Sequence, residues 1–196
     1  MLFFEPVFFL YAALLVLILP LKWLLSAFLA AAFHEICHIF MIYLLGGNIS
    51  HIRLHPFGAE IHANFSGYVQ ELLASAAGPL GSILLTFLSK QVPEIALCGL
   101  IQGVFNLLPL YPMDGGRIIF CILSIMSPSN ANQICKIIRI STLLFLAVVS
   151  IWGYFLDFTG IWPSVFLLLI LWKQKNLAKT GKSGYNSVTI DKEVFL

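Results

Sequence analysis

The chain has 196 residues, 60% of them hydrophobic and only 10% charged, and a mean hydropathy of +0.95; this excludes an ordinary soluble domain and points to an integral membrane protein. A formal net charge of +2, carried by scattered basic residues, excludes a nucleic-acid-binding surface. Cys37, Cys98, Cys121 and Cys135 lie in apolar segments at irregular spacings, which excludes a disulfide framework or a C-x-x-C metal knuckle and leaves them as reduced packing residues.

With about 20 apolar residues taken as one crossing, the sequence predicts six spans, at residues 4–20, 24–45, 69–89, 92–112, 134–155 and 157–172. The first has no basic leader and no small-residue cleavage site, so it reads as a span and not as a removed signal peptide. Residues 117–128 are too few to cross and stop at Pro128, which predicts a short helix at the interface or inside the bundle. From Lys173 onward the composition turns polar and lysine-rich, and the positive-inside rule places this tail in the cytosol. Six spans then place the N-terminus there too. The expected organisation is one membrane-embedded domain over residues 1–172 and a short cytosolic tail over 173–196.

The second span carries His34-Glu35-Ile36-Cys37-His38 in an otherwise apolar run. Residues four apart share one helix face, so His34 and His38 can each offer a ring nitrogen to one metal ion. Glu35, one step round the helix, is placed to act as a general base on water without ligating the metal. A charged side chain at mid-bilayer costs about 2.5–3.5 kcal/mol on insertion scales, so these polar groups need partners. The competing reading makes all three hydrogen-bonding residues of a packed bundle.

Between the second and third spans lies an extended polar segment. Alternation at Ile49, Ile52 and Leu54 against His51, Arg53 and His55 predicts a strand, Pro56-Phe57-Gly58 a turn, and Ala59 to Phe65 a returning strand. Such a hairpin either holds an extended peptide at its edge or is merely solvated. His51 and His55 would lie about 13 Å apart along one strand, too far to share a metal. His62 can approach either, yet a second metal site is not expected. The third span opens with small residues through Ala77-Gly78-Pro79-Leu80-Gly81-Ser82, where a neighbouring helix can approach closely. Pro79 points to a helix buried against the one bearing the histidines.

The last polar constellation is Asn106-Leu107-Leu108-Pro109-Leu110-Tyr111-Pro112-Met113-Asp114-Gly115-Gly116. Two prolines, an Asn inside an apolar span and an Asp before two glycines describe a helix that breaks at membrane depth. Broken backbone survives there only where it is buried in protein or lines a wet cavity. A catalytic zinc takes three protein ligands and one open position, and Asp114 is the best candidate for the third beside His34 and His38. The alternative makes Asp114 the N-cap of a helix beginning at Gly115. The predicted fold is thus an all-α polytopic membrane protein of about six transmembrane helices, with a small β-hairpin at the membrane surface between the second and third.

These two motifs together resemble the site-two-protease-type intramembrane zinc metalloproteases, in which an H-E-x-x-H helix and a later N-x-x-P-x-x-P-x-D-G-G segment hold the metal. Within that family the chain is most similar to the stage IV sporulation protein FB group, through Leu54-His55-Pro56-Phe57-Gly58-Ala59-Glu60 and Ala77-Gly78-Pro79-Leu80. The resemblance implies one Zn2+ per chain on His34, His38 and Asp114, with Glu35 as catalytic base. Asn106 and Pro109 become candidates for binding substrate or the developing oxyanion, Asn106 having the alternative role of tying the broken helix together. It further implies a membrane-tethered protein substrate, a pro-sigma factor during sporulation, membrane regulatory partners, and a bacterial cell or forespore membrane. The chain departs from the group in having only a short tail where many members carry a regulatory nucleotide-binding domain, and Ser82 where members commonly place Asn. Other readings are cleavage of an anti-sigma factor or signal-peptide remnant, a transporter, and a non-proteolytic adaptor. A transporter more naturally shows repeated halves, and the sequence has no internal repeat.

Overall fold

The computed structural model describes residues 2–4, 16, 20–55, 58–111 and 113–155. The predicted spans 4–20, apart from Phe4, Val16 and Pro20, and 157–172, together with the tail 173–196, lie outside the described residues. The chain forms two compact units that meet in sequence between Leu108 and Pro109.

In the first unit, strand β1 (Leu2–Phe4) is followed by helix α1 (Leu21–Leu44), strands β2 (Asn48–His55) and β3 (Gly58–Asn64), helix α2 (Tyr68–Leu84), and helix α3 (Pro93–Asn106). Helix α1 starts on Pro20, whose carbonyl accepts from the N–H groups of Trp23 and Leu24 at 2.9 and 3.1 Å. It stops at Gly46, which takes φ +70°. The Gly46 N–H donates to Tyr43 O at 3.1 Å and the Gly47 N–H to Ile42 O at 2.9 Å, the pair of bonds that closes a Schellman end. Along α1 every fourth residue, Ser26, Ala30, His34, His38 and Ile42, is buried, while Leu25, Phe28, Leu29, Ile36 and Phe40 are exposed. One stripe faces protein and the rest suits lipid.

The hairpin forms as predicted, β2 pairing antiparallel with β3 and a register irregularity falling between Ile49 and His51. It packs on the ends of two helices through Ile61, which joins Ile42 of α1 and Ala74 of α2 in a buried cluster. A third strand was not anticipated: β1 pairs in parallel with β2, Leu2 opposite Ile52. Its apolar sequence gives no alternation, and its partner lies some fifty residues away, so no local pattern signals it.

Helix α2 runs on through a 3-10 turn, Leu85–Leu88. The helix and this turn lie close on α3: a Cβ placed on Gly103 would lie 3.1 Å from Ser82 Cβ, and one on Gly99 only 2.8 Å from Leu85 Cδ1. Glycines four apart on α3 thus admit the neighbouring backbone. Gly103→Val is expected to lower the thermal stability of the detergent-solubilised protein by about 1–3 kcal/mol, since neither Ser82 nor Pro79 can yield without moving a helix; an unchanged unfolding transition would contradict this packing. Lys22 Nζ pairs with Glu94 at 2.6 Å, tying the first turns of α1 and α3.

In the second unit, helix α4 (Asp114–Met126) and helix α5 (Ala131–Phe155) are joined by Ser127–Asn130. The turn before α4 folds back on its first residues. A Cβ on Gly116 would lie 2.8 Å from the Leu110 carbonyl carbon and oxygen, so the second glycine of the motif admits the broken backbone. Met113 occupies the N-cap position. Its carbonyl accepts from the N–H groups of Gly116 and Arg117 at 3.1 and 3.3 Å, so Asp114 stands within the first turn rather than ahead of it.

Three helices among the described residues are long and apolar enough to cross a membrane, Leu21–Leu44, Tyr68–Leu88 and Ala131–Gly153. They correspond to the spans predicted at 24–45, 69–89 and 134–155. The fourth prediction, 92–112, is corrected: α3 has 14 residues and ends at Asn106. At 1.5 Å per residue its helical part is about 21 Å long, because Pro109 and Pro112 stop the helix where apolar composition continues. All four cysteines are free, Cys121 and Cys135 buried and Cys37 and Cys98 half-buried.

Candidate metal centre

His34 and His38 stack one turn apart on the buried stripe of α1, 2% and 8% exposed. Their Nε2 atoms face each other at 3.1 Å, with the rings 79° from coplanar. The outer nitrogens rest on α2: His38 Nδ1 lies 2.7 Å from the Ala74 carbonyl oxygen, and His34 Nδ1 2.8 Å from Ser82 Oγ. A carbonyl only accepts, so His38 carries its proton on Nδ1 and keeps a lone pair on Nε2. In a helix the carbonyls point toward the C-terminus while Cβ atoms lean toward the N-terminus. The Ala74 oxygen and the Ser82 hydroxyl, two turns apart on α2, therefore reach toward each other and span a pair of histidines only one turn apart.

Gly78 sits between these contacts. A Cβ on Gly78 would run into His38 Nε2, and one on Gly81 into Cys37 Sγ. The small-residue stretch that the sequence explains by helix packing is thus the floor on which the histidine rings lie. Asn106, the last residue of α3, brings its side-chain nitrogen to 3.4 Å from His34 Nε2. Glu35 is half-buried beside His34 on α1. The first unit accordingly gathers His34, His38 and Asn106, while Pro109 and Asp114 belong to the second, Pro109 at its start and Asp114 opening α4.

The donor chemistry fits a zinc ion. His34 and His38 supply two imidazoles on one helix face, and two imidazoles with one carboxylate are a common catalytic zinc set. On the hairpin, His62 is the register partner of His51, and their rings stack at 4.1 Å with planes 16° apart. Lone pairs lie in the ring planes, so a stacked pair does not converge on one ion. Ala74 is the contact that motif reasoning leaves out, while Gly78 and Ser82 stand out in the sequence only as small residues around Pro79 and carry no sign there of touching the histidines.

The chain belongs to the Peptidase M50B-like family, whose model matches residues 7–110, and the model for Peptidase family M50 matches residues 88–149. It is similar to a zinc metalloprotease of Methanocaldococcus jannaschii, 30% identical over 155 residues, covering 65% of this chain and 46% of that protein. It is also similar to stage IV sporulation protein FB of Bacillus subtilis, 26% identical over 167 residues, covering 77% of this chain and 57% of that protein. The chain thus spans about half the length of these relatives. Among solved structures, the site-2 protease from Methanocaldococcus jannaschii superposes with a TM-score of 0.62 at 25% identity, over 85% of this chain and 86% of that one.

Proposed function

We propose that the protein is an intramembrane zinc metalloendopeptidase that cuts a membrane-tethered protein, a pro-sigma factor during sporulation. The observation that carries the chemistry is the pair of buried imidazoles whose Nε2 atoms converge at 3.1 Å while both Nδ1 atoms are held by α2. The substrate class rests on the similarity to stage IV sporulation protein FB.

In this reading one Zn2+ per chain is held by His34, His38 and Asp114. Zinc in such a site supplies Lewis acidity, acidifying water to a pKa of about 7 and polarising the scissile carbonyl. Glu35 takes the proton of the attacking water and returns it to the leaving amine. Asn106, whose side chain approaches His34 Nε2, donates to the developing oxyanion or to the substrate backbone, and Pro109 shapes the adjoining wall. A helical substrate hides its carbonyls in internal hydrogen bonds and must present an extended stretch to be cut. Among the described strands β3 pairs only with β2, and its outer edge takes that stretch by strand addition. Six spans, one membrane domain over 1–172 and a cytosolic 173–196 tail place both termini in the cytosol of a bacterial cell or forespore membrane. There, membrane partners regulate cleavage.

Co-expression with a tagged, membrane-tethered pro-sigma factor is expected to yield a shorter product by immunoblot. A chelator that strips the zinc, followed by metal analysis of the purified protein, is expected to abolish it. A zinc-loaded protein that leaves the pro-sigma factor intact refutes the substrate assignment, and a protein that takes up no zinc refutes the mechanism.

A further inference from the structure

We propose that Ser82 is a positioning residue for the metal: its buried hydroxyl holds the His34 ring in the tautomer and orientation that present Nε2 to the ion. The inference rests on the reading of His34 as a zinc ligand and extends it to a residue outside both motifs.

Ser82 is fully buried and its Oγ lies 2.8 Å from His34 Nδ1. The two histidines are held in chemically different ways. Ala74 offers a carbonyl, which only accepts and fixes the His38 tautomer outright. Ser82 offers a hydroxyl, which donates or accepts as its partner requires. A neutral imidazole that ligates through Nε2 carries its proton on Nδ1, so at a loaded site the Ser82 oxygen accepts from His34 Nδ1–H. That bond fixes the ring plane and the tautomer of the ligating imidazole. The serine is itself held in place by α3: Gly103 would bring a Cβ to 3.1 Å from Ser82 Cβ, and Gly99 one to 3.0 Å from the Ser82 carbonyl oxygen. A side chain packed this closely between helices has little freedom to turn away, and this is what an orienting group needs.

The test is Zn2+ affinity of the purified full chain, measured by competition with a chromophoric chelator. Ser82→Ala is expected to weaken Zn2+ binding by about 10–100-fold with unchanged helical circular dichroism, and to shift the visible absorption bands of the Co2+-loaded protein. Equal Zn2+ affinity and identical Co2+ spectra for S82A and wild type overturn the proposal alone. Wild-type protein that binds no Zn2+ overturns the ligand reading and the proposal with it. Should S82A not fold, 15N spectra of the zinc-loaded wild type decide the matter: a protonated, slowly exchanging His34 Nδ1 supports the role of Ser82, and a metal on Nδ1 overturns it.

Discussion

Replacing Glu35 by Gln is expected to reduce proteolysis by roughly 10²–10⁴-fold, the contribution of a positioned general base, while zinc content stays at the wild-type level. Glutamine keeps the length and shape of the side chain but cannot take a proton. Glu35 stands one residue beyond His34, one step round α1 from the buried stripe that carries His34 and His38. The imidazoles would therefore keep their ion when the base is gone. Being half-buried and not sealed in the core, the position also tolerates an amide. The decisive comparison is product yield by immunoblot against metal per chain by mass spectrometry, on the same preparations. Zinc lost together with activity would make Glu35 a ligand, and activity retained would move the base elsewhere.

The second large effect is expected from Gly78→Ala, a change of one methyl group outside both motifs. His38 lies lengthwise against one turn of α2, its Nδ1 bonded to the Ala74 carbonyl at 2.7 Å and its Nε2 directly over Gly78. A methyl group there meets the atom that would face the metal. The ring yields only by breaking its bond to Ala74 or by backing α1 away from α2. An overpacking cost of about 1–3 kcal/mol falls on the ligand itself, so zinc affinity should drop roughly tenfold or more. Gly67→Ala is the matched control, because a Cβ there meets nothing within 4 Å, and it should bind zinc like wild type. Titration of both variants with Zn2+ under a competing chelator separates them, and a G78A protein with wild-type affinity would show that the ring is not pinned as described.

What could be read without coordinates follows from how far each signal extends along the chain. His34 and His38 sit on one face because a helix repeats every 3.6 residues, and the β2–β3 hairpin announces itself through alternation and Pro56-Phe57-Gly58. The break after Asn106 is written in Pro109 and Pro112, although apolar composition alone carries the predicted span six residues past the helix end. Strand β1 escapes because its partner is remote in sequence. The anchors of the histidines escape for a related reason. A backbone carbonyl has no sequence signature, and Ser82 reads as one more small packing residue until α2 is laid beside α1.

The facing acceptors of α2 have a mechanical consequence. One ring is gripped from the carbonyl end and the other from the hydroxyl end, so α2 and the histidine pair behave as a jaw closed on a peg. Sliding α2 along its axis in either direction opens one side as it compresses the other, and neither ring can be released without disturbing its neighbour. Occupancy by an ion would therefore lock the longitudinal register of two adjacent helices. Any influence that shifts that register would reach both imidazoles at once.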